Sequence, residues 1–387
     1  MKGFNILKFF GLVILSLLIL SVVLWYFQGD KPFNIYILDK TVSDKRRSEH
    51  KSFNWVLNYE HYTNKDHKRL SYKKDYYGFF PLNTKEKGKD YKIRSLRLYE
   101  VLSISDDLDM AYYTDTYGVT YQDWYKRPPD KYHAPLIYGG LNQNDYLLLS
   151  EMRRKNKLII TEFNILGSPT SDLIRNKTET LFDFNWTGWT GSYYHSLLRS
   201  NPDLPRWIIA LYEQKYQANW DFRGEGILLI KEQGEIVILE NKKHLLFPIP
   251  QIITNDYGQE AYKLPRSQNY QSLFDIISTG TTNKVVATYH IFSNNEGDTL
   301  LHKYQIPKVF PAIIEHLDNY KFYYFAGDFA DRDILMISSF CKGIPILSNA
   351  FYWTDSGSKK DFFWRFYFPL IHNILIRNLH SEETYKK

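Results

Sequence analysis

The stretch Lys157–Thr170, KLIITEFNILGSPT, decides how the rest of the chain is read. Leu158 to Thr161 is an apolar run too short for a helix of its own, and Ile159, Ile160 and Thr161 favour a buried strand. The run stops at an acid and an amide, Glu162 and Asn164, and turns through Gly167-Ser-Pro169. Upstream, Asn142 to Lys155 places Leu147, Leu148 and Met152 on one helical face behind a capping asparagine at 142 or 144. Downstream, Ser171 to Leu181 reads as another helix, capped by Ser171 or Asp172. Helix, strand and helix with short joints predict a parallel sheet covered on both faces.

Working outward, other segments repeat the pattern. Phe33–Leu38 is a short apolar run ending at Asp39, and His50–Tyr59 carries Phe53, Val56 and Leu57 at helical spacing. Residues 62–91, rich in Lys, Asp, Tyr and Gly, show no period and read as an exposed excursion. Asp109–Asp115 is a second strand, Pro128 and Pro129 mark a loop, and Leu136–Tyr138 ends at Gly139-Gly140. Gly226–Ile230 and Glu235–Leu239 flank Gln233-Gly234, the signature of a hairpin. Lys321–Phe325 is a late strand before Ala326-Gly327-Asp328, and Phe362–Leu379 a closing helix. The expectation is an α/β fold: a mostly parallel sheet with helices on both faces and an antiparallel hairpin insertion, preceded by one transmembrane helix. Residues 1–30 form the anchor and 31–387 the domain, with the insertion around 190–280.

The anchor is Phe9–Phe27, FFGLVILSLLILSVVLWYF, nineteen residues without a charge. At ~1.5 Å per residue it crosses a hydrocarbon core of ~30 Å, and Trp25 and Tyr26 fall where an aromatic belt sits. A cleaved signal peptide shares the short basic start, but the run is long and ends in bulky residues with no small-x-small site. Flanking positives favour a cytoplasmic domain: Lys2 and Lys8 precede the helix, whereas Lys31, Lys40, Lys45, Arg46 and Arg47 follow it. A short N-terminal tail on a single anchor favours export, and large domains translocate largely regardless of charge. The expected location is therefore a single-pass membrane protein with an extracytoplasmic, periplasmic domain. A net charge of +6 spread over 387 residues shows no nucleic-acid stripe. The single cysteine, Cys341, excludes internal disulfides and cysteine-based zinc sites. No His-x-His or HExxH stands in the sequence, so no metal or cofactor is expected.

In open parallel sheets ligands bind beyond the carboxyl ends of the strands. Those positions hold Asp39, Asp115 with Tyr117 just after it, Glu162 and Asn164, and Asp328. Asp115, Glu162 and Asp328 are the catalytic candidates, since converging carboxyl groups serve acid–base work, bind a divalent cation or hold sugar hydroxyls. The competing reading is that such residues cap the next helix or shape a turn. Asn185-Trp-Thr-Gly-Trp-Thr-Gly191 offers Trp186 and Trp189 as a stacking platform on a bending loop, against the alternative that an indole plugs the core. His133 and His195 lie near these segments.

LIYGGLNQND followed by a helix and then NKLIITEFNILGSPT resembles the core of class I glutamine amidotransferase-like domains, of flavodoxin-like α/β type. In that family a strand ends at a Gly-Gly turn, a helix follows, and the next strand delivers a cysteine at an elbow; IRNKTETLFDFNWTGW fits the helix and aromatic segment after it. The resemblance covers roughly residues 136–189. Where the family keeps its cysteine this chain has Glu162 or Phe163, so thiol amidotransfer is not carried over. The resemblance then implies a binding or scaffolding module in the bacterial envelope. The functional expectation is a membrane-anchored binding protein for an envelope or exopolysaccharide ligand. The alternatives are a carbohydrate-active hydrolase using paired carboxylates and a structural subunit of an envelope complex. The expected partners are the membrane, through the N-terminal helix, and a glycan or an envelope protein, with no nucleic acid.

Overall fold

The computed structural model describes residues 2–82, 90–125, 135–332, 334–351 and 359–385. Pro128, Pro129 and His133 lie outside them. Fourteen strands carry the main architecture: β1 Ile35–Asp39, β2 Tyr77–Pro81, β3 Tyr91–Arg94, β4 Met110–Asp115, β5 Leu158–Glu162, β6 Phe184–Tyr194, β7 Gly226–Lys231, β8 Ile236–Glu240, β9 Gln251–Thr254, β10 Ser267–Asn269, β11 Phe274–Thr279, β12 Lys284–His290, β13 Val309–His316 and β14 Lys321–Phe325. Ten of them form one sheet in the order β10-β9-β12-β13-β14-β5-β4-β1-β2-β3. The opening stretch supplies its centre: every residue of β5 is buried.

The sheet is mixed rather than mostly parallel. β14, β5, β4, β1 and β2 run parallel to their neighbours, while β3 and the whole β13-β12-β9-β10 side pair antiparallel. The cause lies in the connections. The early strands are joined through helices, which return the chain to the same end of the sheet, whereas β13 and β14 are joined by a tight turn that reverses it. The stretch 62–91 is also no mere excursion: it inserts β2 beside β1, with Tyr76 and Phe79 fully buried.

Alternation along β4 shows why helices cover both faces. The Tyr112 ring stacks 4.0 Å from Phe53 of α2 (Ser48–Tyr59, counting the N-terminal Lys2–Tyr26 helix as α1). The Tyr113 hydroxyl donates to the Asp145 carbonyl of α3 (Gln143–Arg154) at 2.9 Å on the other face. Helix α3 starts where the sequence requires. Asn142 accepts the N–H groups of Asn144 and Asp145, and the Asp145 carboxylate accepts the Asn142 N–H in return. Helix α4 (Asp172–Phe182) follows β5 on that side.

The hairpin β7–β8 belongs to a second, antiparallel sheet of order β8-β7-β6-β11. It has a small core of its own around Leu197, Leu204, Ile208, Trp220 and Leu228. Between these strands the chain sends β9 and β10 to the edge of the large sheet, so the insertion is interleaved with the main sheet. Helix α1 is long and apolar enough over Lys8–Tyr26 to cross a membrane or serve as a signal sequence.

Candidate functional site

The parallel strands β1, β4, β5 and β14 end on one side, and their acids divide into two sets. Glu162 turns inward. One oxygen accepts the Tyr112 hydroxyl, which also meets Tyr367 at 2.8 Å; the other accepts the N–H groups of Phe329 and Ala330 at 3.1 and 3.0 Å. With 1% of its surface exposed, it braces the turn after β14 and offers no free oxygen to a ligand. Burial is the main force that pushes its carboxyl up to about 8, with the charge of Asp328 adding to it and the Tyr112 hydroxyl opposing.

Asp39 is spoken for as well. Its carboxylate lies 2.5 Å from Nδ1 of His50 and accepts the Thr41 N–H at 3.0 Å; His50 Nε2 lies 2.7 Å from the Tyr72 carbonyl. Both ring nitrogens face oxygens. The next residue, Lys40, is fully buried and ties this corner together: its ammonium donates to Asp145 at 2.5 Å and to the Gly140 carbonyl at 2.7 Å. Gly118 and Gly140 let the neighbouring loops close in. A Cβ on Gly118 (φ 101°) would sit 2.1 Å from the Tyr138 carbonyl oxygen, and one on Gly140 (φ 74°) 2.8 Å from that of Pro169.

What remains half-open is a group around Asp115. One of its oxygens accepts the Tyr117 N–H at 2.7 Å, with the Asn164 amide at 3.5 Å. Asn164 holds a left-handed backbone (φ 69°), and its own N–H donates to Asp275 at 3.1 Å. Burial pushes Asp115 well above the usual carboxylate range, against the Tyr117 hydrogen bond, and the charges of Asp328 and Asp39 push it further. Glu49, in the first turn of α2, is raised by burial and then by the charges of Asp39, Asp331 and Asp115. Asp39, Glu49, Asp115, Asp328 and Asp331 thus feel one another at the strand ends, with Tyr117 and Asn164 on the same loops. Among the described residues no group of three His, Cys, Asp or Glu side chains is arranged to hold a metal ion.

Three contributors escaped the sequence reading. Glu49 and Asp331 follow no strand directly. Asp275, on β11, is buried and pushed up to about 6 by that burial, and it anchors the site from beneath through Asn164, Tyr324 and Thr190.

The aromatic platform does not form as expected. Asn185–Gly191 is part of strand β6, and pairing with β7 leaves Trp189 2% exposed, a core residue. Trp186 is half-buried, its indole N–H donates to the Trp189 carbonyl, and the Arg175 guanidinium lies 5.0 Å from its ring. His195 is exposed past the end of β6. A surface recess lined by His302, Lys303, Gln305, Ile306 and Pro307 contains none of the strand-end acids. Leu136–Tyr138 pairs with Val119–Thr120 in a separate two-stranded ribbon, not in the large sheet.

No family model and no curated protein matches the chain. Among solved structures it is similar to two described as ThuA-like proteins. The one from Parabacteroides merdae has 10% identity and a TM-score of 0.34, covering 76% of this chain and 79% of that chain. The one from Bacteroides uniformis has 10% identity and a TM-score of 0.34, covering 86% of this chain and 97% of that chain. At these values the likeness transfers neither fold nor residue roles.

Proposed function

We propose that this is a membrane-anchored binding protein whose domain lies on the extracytoplasmic side and takes a polyhydroxylated, glycan-type envelope ligand at the strand ends. The observation that carries the reading is the half-open group of Glu49 and Asp115, biased toward the protonated form by burial and by neighbouring carboxylates. A neutral carboxyl group both donates and accepts a hydrogen bond, which matches a sugar hydroxyl; an ionised one only accepts. Thiol chemistry has no place in this reading, because Cys341 lies beyond the turn Met336–Phe340 and not at the end of β5. With Glu162 committed to internal hydrogen bonds, no observation favours hydrolysis by paired carboxylates.

The test is calorimetric titration of the detergent-solubilised full chain with a panel of neutral and acidic envelope oligosaccharides. Binding should weaken as pH rises and Asp115 loses its proton. Asp115→Ala should cost on the order of tenfold, about one lost hydrogen bond. Asp115→Asn, which keeps a donor and an acceptor, should retain binding and flatten its pH dependence. A wild-type chain that binds no member of the panel sinks the reading.

A further inference from the structure

Helix α1 is seated on the domain. The Ser21 hydroxyl donates to the Lys342 carbonyl at 2.8 Å, and the Lys342 N–H donates to the Ser21 carbonyl at 3.3 Å. One turn further, Trp25 is buried against His61 and Phe340, with the Arg69 guanidinium 4.0 Å from its ring and its indole N–H on the Asn58 carbonyl.

The segment that meets Ser21 is a 3₁₀ turn, Met336–Phe340, followed by the helix Ile344–Phe351. Its inner side is mixed: Met336 and Ile344 pack against the core, while Ser338 accepts the Trp55 indole N–H at 3.0 Å and Ser339 accepts the Asn58 amide. Its outer side is apolar: Leu335, Ile337, Ile346 and Leu347 are 74%, 75%, 79% and 54% exposed. Four large apolar side chains exposed together are unfavourable in water and mark a covered surface.

The level of the contact says what covers it. Ser21 lies five residues before the end of α1 at Tyr26, about 7.5 Å inside the end of the apolar span. Lys342 reports the same boundary. Its backbone pairs with Ser21, while its ammonium reaches the Gln28 side chain at 2.7 Å, roughly 10 Å further along the axis. A lysine rooted among acyl chains and stretching toward water behaves this way.

We propose that Leu335–Phe351 is a second membrane element, lying in the leaflet at the C-terminal end of α1 with Leu335, Ile337, Ile346 and Leu347 among the acyl chains. This rests on the membrane-anchor reading of α1. To test it, Ile337→Cys and Ile346→Cys, each in a Cys341→Ser background, are labelled with an environment-sensitive fluorophore. The full chain is then reconstituted in phosphatidylethanolamine–phosphatidylglycerol vesicles. The emission should shift to the blue, and doxyl-labelled lipid should quench it at least about threefold more than aqueous iodide, as for an interfacial helix. Water-like emission quenched by iodide, from a chain that resists alkaline carbonate, would overturn the proposal alone. Blue-shifted emission that doxyl lipid does not quench would also overturn it, because a protein would then cover the segment. Release of the chain by carbonate would overturn the anchor reading and the proposal with it.

Discussion

Replacing Glu162 with glutamine should remove a pH dependence that the wild-type protein carries. In the folded chain Glu162 is pushed up to about 8 from an ordinary value of 4.5. Between those values the native state holds a proton that the unfolded chain has released, so stability falls as pH rises and levels off above about 8. At about 1.4 kcal/mol per unit the full loss is on the order of 5 kcal/mol. Glutamine suits the site: its oxygen accepts the Phe329 and Ala330 N–H groups, and its amide donates to the Tyr112 hydroxyl, whose hydrogen turns to Tyr367. Wild type and Glu162→Gln should therefore agree within about 1 kcal/mol near pH 4.5, as expected for an isosteric swap. By pH 9 the variant should be several kcal/mol more stable. With an unfolding entropy of ~2.1 cal/mol/K per residue over roughly 350 residues, the difference corresponds to about 7 °C in Tm. Tryptophan fluorescence melts of the detergent-solubilised chain from pH 4.5 to 9 read it directly. Parallel curves for the two proteins would refute the reasoning, since Glu162 would then ionise as freely in the folded state as in the unfolded one.

Lys40→Met leaves the Asp145 carboxylate buried without its cation and should cost about 3–5 kcal/mol, with Lys40→Met/Asp145→Leu recovering part of the loss in denaturant titrations. Gly118→Ala should lower stability by about 1–3 kcal/mol through its φ of 101° alone. The added clash with the Tyr138 carbonyl should displace Tyr117 and weaken ligand binding in the titration described above.

The parallel centre of the sheet was legible because β1, β4, β5 and β14 each read as an apolar run closing on or just before an acid. Burial on both faces gives such runs no alternation, and for the same reason the pattern does not show which way a strand runs. The antiparallel side was hidden for two reasons: most of β13 is buried like a parallel strand, and β12, only partly buried, has bulges at Val285–Thr288 that break its period. The floor of the site was half legible. Asp39 and Asp115 are brought together, yet Asp39 is paired with His50 eleven residues on, and Glu162 bonds the backbone of residues 329 and 330. Glu49 joins the group from the first turn of α2, which starts behind an Arg47 with a left-handed backbone (φ 51°). No composition or spacing rule marks that arginine.

Helix α2 joins the two surfaces of interest. Its first turn carries Glu49 and His50 into the strand-end group, and Trp55 and Asn58 hold the serines of the apolar segment. From His50 to Asn58 the axis advances only ~12 Å. The chain makes the same connection again: Asp331, whose charge acts on Glu49, stands four residues before Leu335, 74% exposed on the apolar outer side. Four residues span at most ~14 Å even when fully extended. If Leu335 lies among acyl chains, the acidic group lies within reach of the headgroup layer. A ligand held there is then displayed close to the membrane, as the sugars of a lipid-linked glycan are, rather than far out in the envelope. Shortening the distance between glycan and lipid anchor should therefore preserve binding in vesicles, and a long spacer should bring no gain.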